Sequence, residues 1–136
     1  MTVEDYLARK SFPDEVYRNN YFIDIHTTPE EAGQVRSGET LFVEERFERY
    51  KDGESHGVPY RCLTPKGLKN VLVAGRSIST DRITQGSTRV MPSCLCMGEA
   101  AGMAAKFAVD MAEADVHRVD TDRLRDRLRE EGAYLP

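Results

Sequence analysis

Between Asn70 and Ala105 the chain reads NVLVAGRSISTDRITQGSTRVMPSCLCMGEAAGMAA, and this order limits the fold more than any other stretch. A short apolar run, Val71-Leu72-Val73-Ala74, meets Gly75, crosses a polar loop and enters a segment packed with small residues. The pattern predicts a buried strand, a glycine turn, a loop and then a helix over about 92–111. Pro92 suits a first helical turn, where its missing N–H costs nothing. Gly98 and Gly102 each cost roughly 1 kcal/mol relative to alanine inside a helix. Close packing of that backbone against a sheet or a nucleotide would offset the cost. The helix start at Arg89-Val90-Met91-Pro92 offers free N–H groups and a positive dipole end, a setting for negative charge. An ordinary capped surface helix is the alternative reading of the same residues.

Four spaced motifs carry the argument further. They are Pro59-Tyr60-Arg61, Ala74-Gly75-Arg76, Gly86-Ser87 with Arg89-Val90-Met91, and Gly98-Glu99-Ala100-Ala101-Gly102. In this order they resemble the C-terminal part of FAD-dependent oxidoreductases with a two-part dinucleotide-binding domain. The resemblance is clear over about 57–108 and looser towards the C-terminus. It implies FAD as the cofactor and hydride transfer from a small organic substrate to the flavin. By resemblance, Gly75 and Arg76 sit beside the ribityl and phosphate portion of FAD, with Ser77 in the same loop. Gln85 and Gly86 bring backbone near the ring, and Arg89, Val90 and Met91 lie against it through backbone groups. A helix start aimed at the N1 and O2 edge of a flavin favours its reduced, negatively charged state. Arg76 is suited to a phosphate or an acidic partner, or to a salt bridge tying loop to sheet. Many members carry a histidine near Asp81, where this chain has Ser79-Thr80-Asp81-Arg82. That departure weakens the case for a catalytic base in the loop.

A complete enzyme of this kind opens with a strand, a G-x-G-x-x-G turn and a pyrophosphate-binding helix. The sequence contains no such pattern: Gly53, Gly57 and Gly67 are too widely spaced. The chain is therefore expected to be the C-terminal piece of a larger flavoprotein. Its expected fold is α/β: the end of a Rossmann-like FAD-binding domain (57–136) with an antiparallel hairpin region from the substrate domain (1–56). The implied partner is the N-terminal dinucleotide-binding half, and a non-enzymatic remnant or partner subunit is the alternative. An unpaired sheet edge and apolar helix face would encourage association, including a homo-oligomer.

Composition bears on the remaining function classes. With 19 basic and 23 acidic residues in 136, the net charge of -4 implies no basic face for nucleic acid. No apolar run approaches the roughly 20 residues that span a bilayer, and the charged first 25 residues hold no signal peptide. A cytoplasmic location is expected. Cys62, Cys94 and Cys96 form no disulfide framework, and a C-x-C on a helix points two ways, so no metal site is expected. His26 follows Asp24 by two residues, and on a strand the pair would share a face, an arrangement suited to proton transfer. Arg61 is suited to a substrate carboxylate, or to a hairpin ion pair with Glu44 or Glu45. His26 and Arg61 are the two catalytic candidates.

The remaining elements are read locally. Residues 2–10 suggest a short helix capped by Thr2 with Asp5 at its third position, stopped by Pro13. Residues 21–26 and 58–63 read as strands, 28–38 as loop, and 41–49 as strand before a turn at 51–54. Asp120-Thr121-Asp122 opens a helix carrying Leu124 and Leu128, which Gly132 ends.

Overall fold

The computed structural model describes residues 1–25 and 49–136. The chain opens with α1 (Val3–Leu7), where the Thr2 N–H donates to Asp5 Oδ2 at 3.0 Å in a capping box. A turn through Arg9 and Lys10 leads to β1 (Glu15–Asn19), which pairs antiparallel with β2 (His56–Pro59). The register sets Asn19 opposite His56 and Tyr17 opposite Val58, with a bulge between Glu15 and Tyr17. The helices that follow are α2 (Arg82–Thr88), α3 (Met91–Val109) and α4 (Thr121–Glu130).

The core forms where α3 and α4 pack on this small sheet. Met97, Ala100, Ala104 and Ala108 recur at helical spacing on one buried face of α3. They meet Val16, Val58, Leu63, Ile78, Leu124 and Leu128 in one apolar cluster. Small side chains on α3 let its backbone approach the sheet closely, so the alanines fill the space that larger residues occupy elsewhere. α4 starts at Asp120, whose carboxylate accepts from the N–H groups of Asp122 and Arg123, each at 3.1 Å. It ends beside Gly132, whose φ of +101° an L side chain rarely adopts.

Four sequence expectations need correcting. Val71–Ala74 is half-buried but pairs in no sheet among the described residues; its Val73 N–H donates to Leu63 O at 2.8 Å. Residues 21–25 are not a strand, and the strand expected over 58–63 covers His56–Pro59, after which Tyr60–Cys62 tighten into a 3-10 turn. The polar loop between Gly75 and Arg89 contains α2, started by Asp81, whose side chain accepts from Thr84 N–H at 2.7 Å. His26, the loop expected at 28–38 and, except for Arg49, the strand expected at 41–49 fall on residues outside the described ones.

The turn at 51–54 forms as expected, with Glu54 N–H donating to Lys51 O and Gly53 at φ +81°. The helices expected over 92–111 and 120–131 are present as α3 and α4. Together the described residues make a mixed helix-and-strand fold with a two-stranded sheet, compatible with an α/β FAD-binding domain.

Candidate flavin site

Ala74 arrives extended and the chain turns sharply through a 3-10 turn, Gly75–Ser77. Gly75 has φ +75°, and a side chain there would find its nearest neighbour, Cys94 Sγ, at 3.9 Å. The glycine therefore answers a conformational demand, and among the described residues a Cβ there would meet nothing closer than Cys94 Sγ. From this turn Arg76 Nε donates to Arg89 O at 3.0 Å, and Gln85 Nε2 donates back to Arg76 O. Two polar bridges thus join the 75–77 turn to the junction between α2 and α3. Of the residues singled out in the sequence, Gly75, Arg76, Gln85 and Arg89 come together here.

The α3 start is the second half of the arrangement. Val90 is its N-cap residue, with ψ 155° and no side-chain cap bond. Cys94 N–H reaches Val90 O at 3.0 Å, so the amides of Met91 and Ser93 have no intrahelical acceptor. Pro92, in the same turn, has no N–H to leave unsatisfied. Met91 is 74% exposed. An uncapped helix start, positive by its dipole, therefore opens to the outside next to Gly75.

Arg89 and Gly86 are held from below. Arg89 Nη2 donates to Asp24 O at 2.9 Å and lies 4.0 Å from the Asp24 carboxylate. Asp24 N–H donates to Gly86 O at 3.4 Å. A Cβ on Gly86 would stand 2.8 Å from Ile25 Cγ1 and 3.0 Å from Asp24 O. Gly86→Ala is expected to cost roughly 2 kcal/mol, the overpacking of a buried backbone contact. Urea unfolding of the variant measures it, and a loss below about 0.5 kcal/mol would show that the 24–25 segment yields.

Asp81 lies in the stretch where many of the resembled proteins carry a histidine. Its two carboxylate oxygens accept from Thr84 N–H and from Val3 N–H, each at 2.7 Å, which pins α1 to α2. Burial pushes its pKa up, but the hydrogen bonds from Thr84 and Val3 outweigh it and hold the carboxyl below its ordinary value. Arg61 forms an ion pair with Asp14, with its guanidinium 4.9 Å above the Phe12 ring. It also lines a cleft of about 720 Å³ with Lys66, Ser77, Ser79 and His117. Ser77 and Arg61 thus share this cleft.

These residues fit one side of a flavin: a glycine at positive φ with free space over it, and an uncapped helix start to face developing negative charge. A family model described as FAD dependent oxidoreductase matches residues 1–128. The chain belongs to this family. FAD is accordingly its cofactor, and flavin-linked oxidation and reduction is the chemistry of the group. Comparisons with curated proteins and with solved structures give no match. No described helix of this family member is long and apolar enough to cross a membrane.

Sequence reading passed over Asn19 and Ser93, which lie directly beneath the α2–α3 junction. Asn19 bonds Ser87 across 68 positions, and no local pattern marks a polar residue whose partners are that distant.

Proposed function

We propose that this chain forms one wall of the flavin site of an FAD-dependent oxidoreductase, with 57–136 as the end of the flavin domain and 1–56 from the substrate region. The observation that carries the reading is the paired bridge between the Gly75 turn and the uncapped start of α3. Bound FAD supplies an acceptor for two electrons, taken as hydride from an organic substrate. The chain's own contribution is fixed electrostatics. Gly75 keeps the approach clear, while the Met91 and Ser93 amides and the α3 dipole favour negative charge at the ring edge. Arg76 is committed to Arg89 O through Nε, which leaves the rest of its guanidinium for a phosphate. Lys66 lends the neighbouring cleft a cationic group suited to an acidic substrate, beside Arg61, whose guanidinium is paired with Asp14.

A complementary half bearing the G-x-G-x-x-G turn completes the site in this reading. Support comes from the outer face of α3, where Met91, Leu95, Gly98, Gly102, Ala105 and Val109 form a solvent-facing apolar stripe; Leu95 is 74% and Val109 73% exposed. The Val71–Ala74 segment, which joins no ladder among the described residues, supports the same proposal.

The test is to titrate FAD onto the full chain, alone and with a dinucleotide-binding half from a related enzyme supplied in trans. Retained flavin with a shifted visible band is expected once both parts are present. Gly75→Val should weaken retention at least tenfold, about 1.4 kcal/mol, because a branched side chain is strained at positive φ and fills the open space. A colourless protein under both conditions would favour the non-enzymatic remnant.

A further inference from the structure

Three buried polar side chains from three elements meet under the α2–α3 junction. Asn19, the last residue of β1, donates through Nδ2 to Ser87 Oγ at 2.7 Å, and its Oδ1 accepts from Ser93 Oγ at 3.1 Å. Ser87 Oγ donates in turn to Tyr21 O at 2.6 Å. The three side chains belong to residues only 6%, 0% and 2% exposed. Polar groups so placed are retained at a cost unless each finds its partner, and here the directions are fixed as well. A serine hydroxyl has one proton, and that of Ser87 goes to Tyr21 O. Ser87 must therefore accept from Asn19, which orients the amide and turns Oδ1 towards Ser93.

The position of this network gives it a consequence. Ser87 lies in the last turn of α2, and Ser93 in the first turn of α3. Between them run the five residues 88–92, which carry Arg89, Val90 and Met91. We infer that Asn19 is a positioning residue for this flavin-facing segment. It clamps both ends of the segment to the sheet and so sets the direction in which the Met91 and Ser93 amides point. The inference rests on the assignment of that segment to the flavin. Arg76 and Arg89 hold the segment from the surface side, and neither reaches both of its ends.

Amide hydrogen exchange on the full chain tests it, read at Arg89 and Cys94, whose N–H groups bond Gln85 O and Val90 O. Asn19→Ala is compared with Leu124→Val, a core change in α4 that touches none of the three network hydrogen bonds. Exchange at both amides at least tenfold faster than in the Leu124 variant is expected, with FAD affinity at least tenfold weaker. Adding Ser93→Ala to Asn19→Ala should change exchange little, since both cut one bridge. Should Asn19→Ala not fold, Ser93→Ala alone severs the bridge at α3 and is read in the same way. Exchange no faster than in the Leu124 variant overturns the inference. Faster exchange with unchanged FAD affinity keeps the clamp and overturns the flavin assignment. FAD affinity is read with the dinucleotide-binding half present; failure of the unmodified chain to retain FAD under that condition strikes that assignment alone, because exchange is read without flavin.

Discussion

Replacing Gly57 with alanine is expected to remove roughly 3 kcal/mol of stability, a large share of what a domain of this size has. A Cβ at that position would fall 1.8 Å from Glu15 Oε2, 2.7 Å from Cδ and 3.0 Å from Glu15 Cβ. Glu15 is 1% exposed, and its carboxylate has no free direction in which to swing. It accepts from Phe12 N–H at 3.0 Å and is paired with Arg18 at 3.1 Å. Moving it would break both interactions and strand a buried charge beside a guanidinium, the expensive way to disrupt such a pair. Chemical denaturation of Gly57→Ala measures the loss, and a cost under about 1 kcal/mol would show that the carboxylate relocates freely. Truncating Glu15 in the same background should recover part of the loss, because the clash disappears with the side chain.

Acidification should destabilise the protein well before its carboxylates titrate. His56 is fully buried; burial first, then the Arg18 and Arg9 cations, push its pKa down from 6.5 to about 4, against a small opposing pull from Asp5. Nδ1 is hydrogen-bonded to the Tyr50 hydroxyl, and Nε2 has no partner among the described residues. The sign follows from proton counts. Between pH 6.5 and 4 the unfolded chain binds a proton at this histidine that the folded chain refuses, so stability falls as pH falls. The contribution is fully present above about 6.5 and exhausted near 4, and amounts to about 3 kcal/mol at most. Asp5, Glu54 and Asp81, whose folded pKa values are lowered, lose their share only at still lower pH. Urea midpoints from pH 7 to 4 should therefore slope downward, and His56→Gln should flatten that slope. A wild-type curve level across the window would sink the prediction.

What could be read from the sequence was mostly what is decided locally. Thr2 with Asp5, Asp120 before α4, and Pro92 in the first turn of α3 each act within one helical turn, and all three stand where the pattern put them. β1 escaped because a buried glutamate interrupts it, made tolerable by Arg18, by the Phe12 N–H and by the space at Gly57. α2 escaped because Arg-Ile-Thr-Gln-Gly-Ser-Thr has poor helix propensity, and the helix is held by Asp81 and by packing under Asp24 and Ile25. At Val71–Ala74 apolar character reported burial correctly, but burial does not specify a ladder partner. The site was legible as an order of motifs; the hydrogen bonds that assemble it, Arg76 to Arg89 and Asn19 to Ser87, span 13 and 68 positions.

α4 packs against β1, and Arg125 Nη1 closes on Pro13 O across 112 residues. Tyr60, likewise, reaches Val116 O from 56 residues away. During synthesis, then, Val16 and Val58 emerge long before the leucines that cover them. The early strands must wait, partly wetted, until Leu124 and Leu128 leave the ribosome. Loop closure of that length makes folding slow and the nascent chain dependent on protection from aggregation.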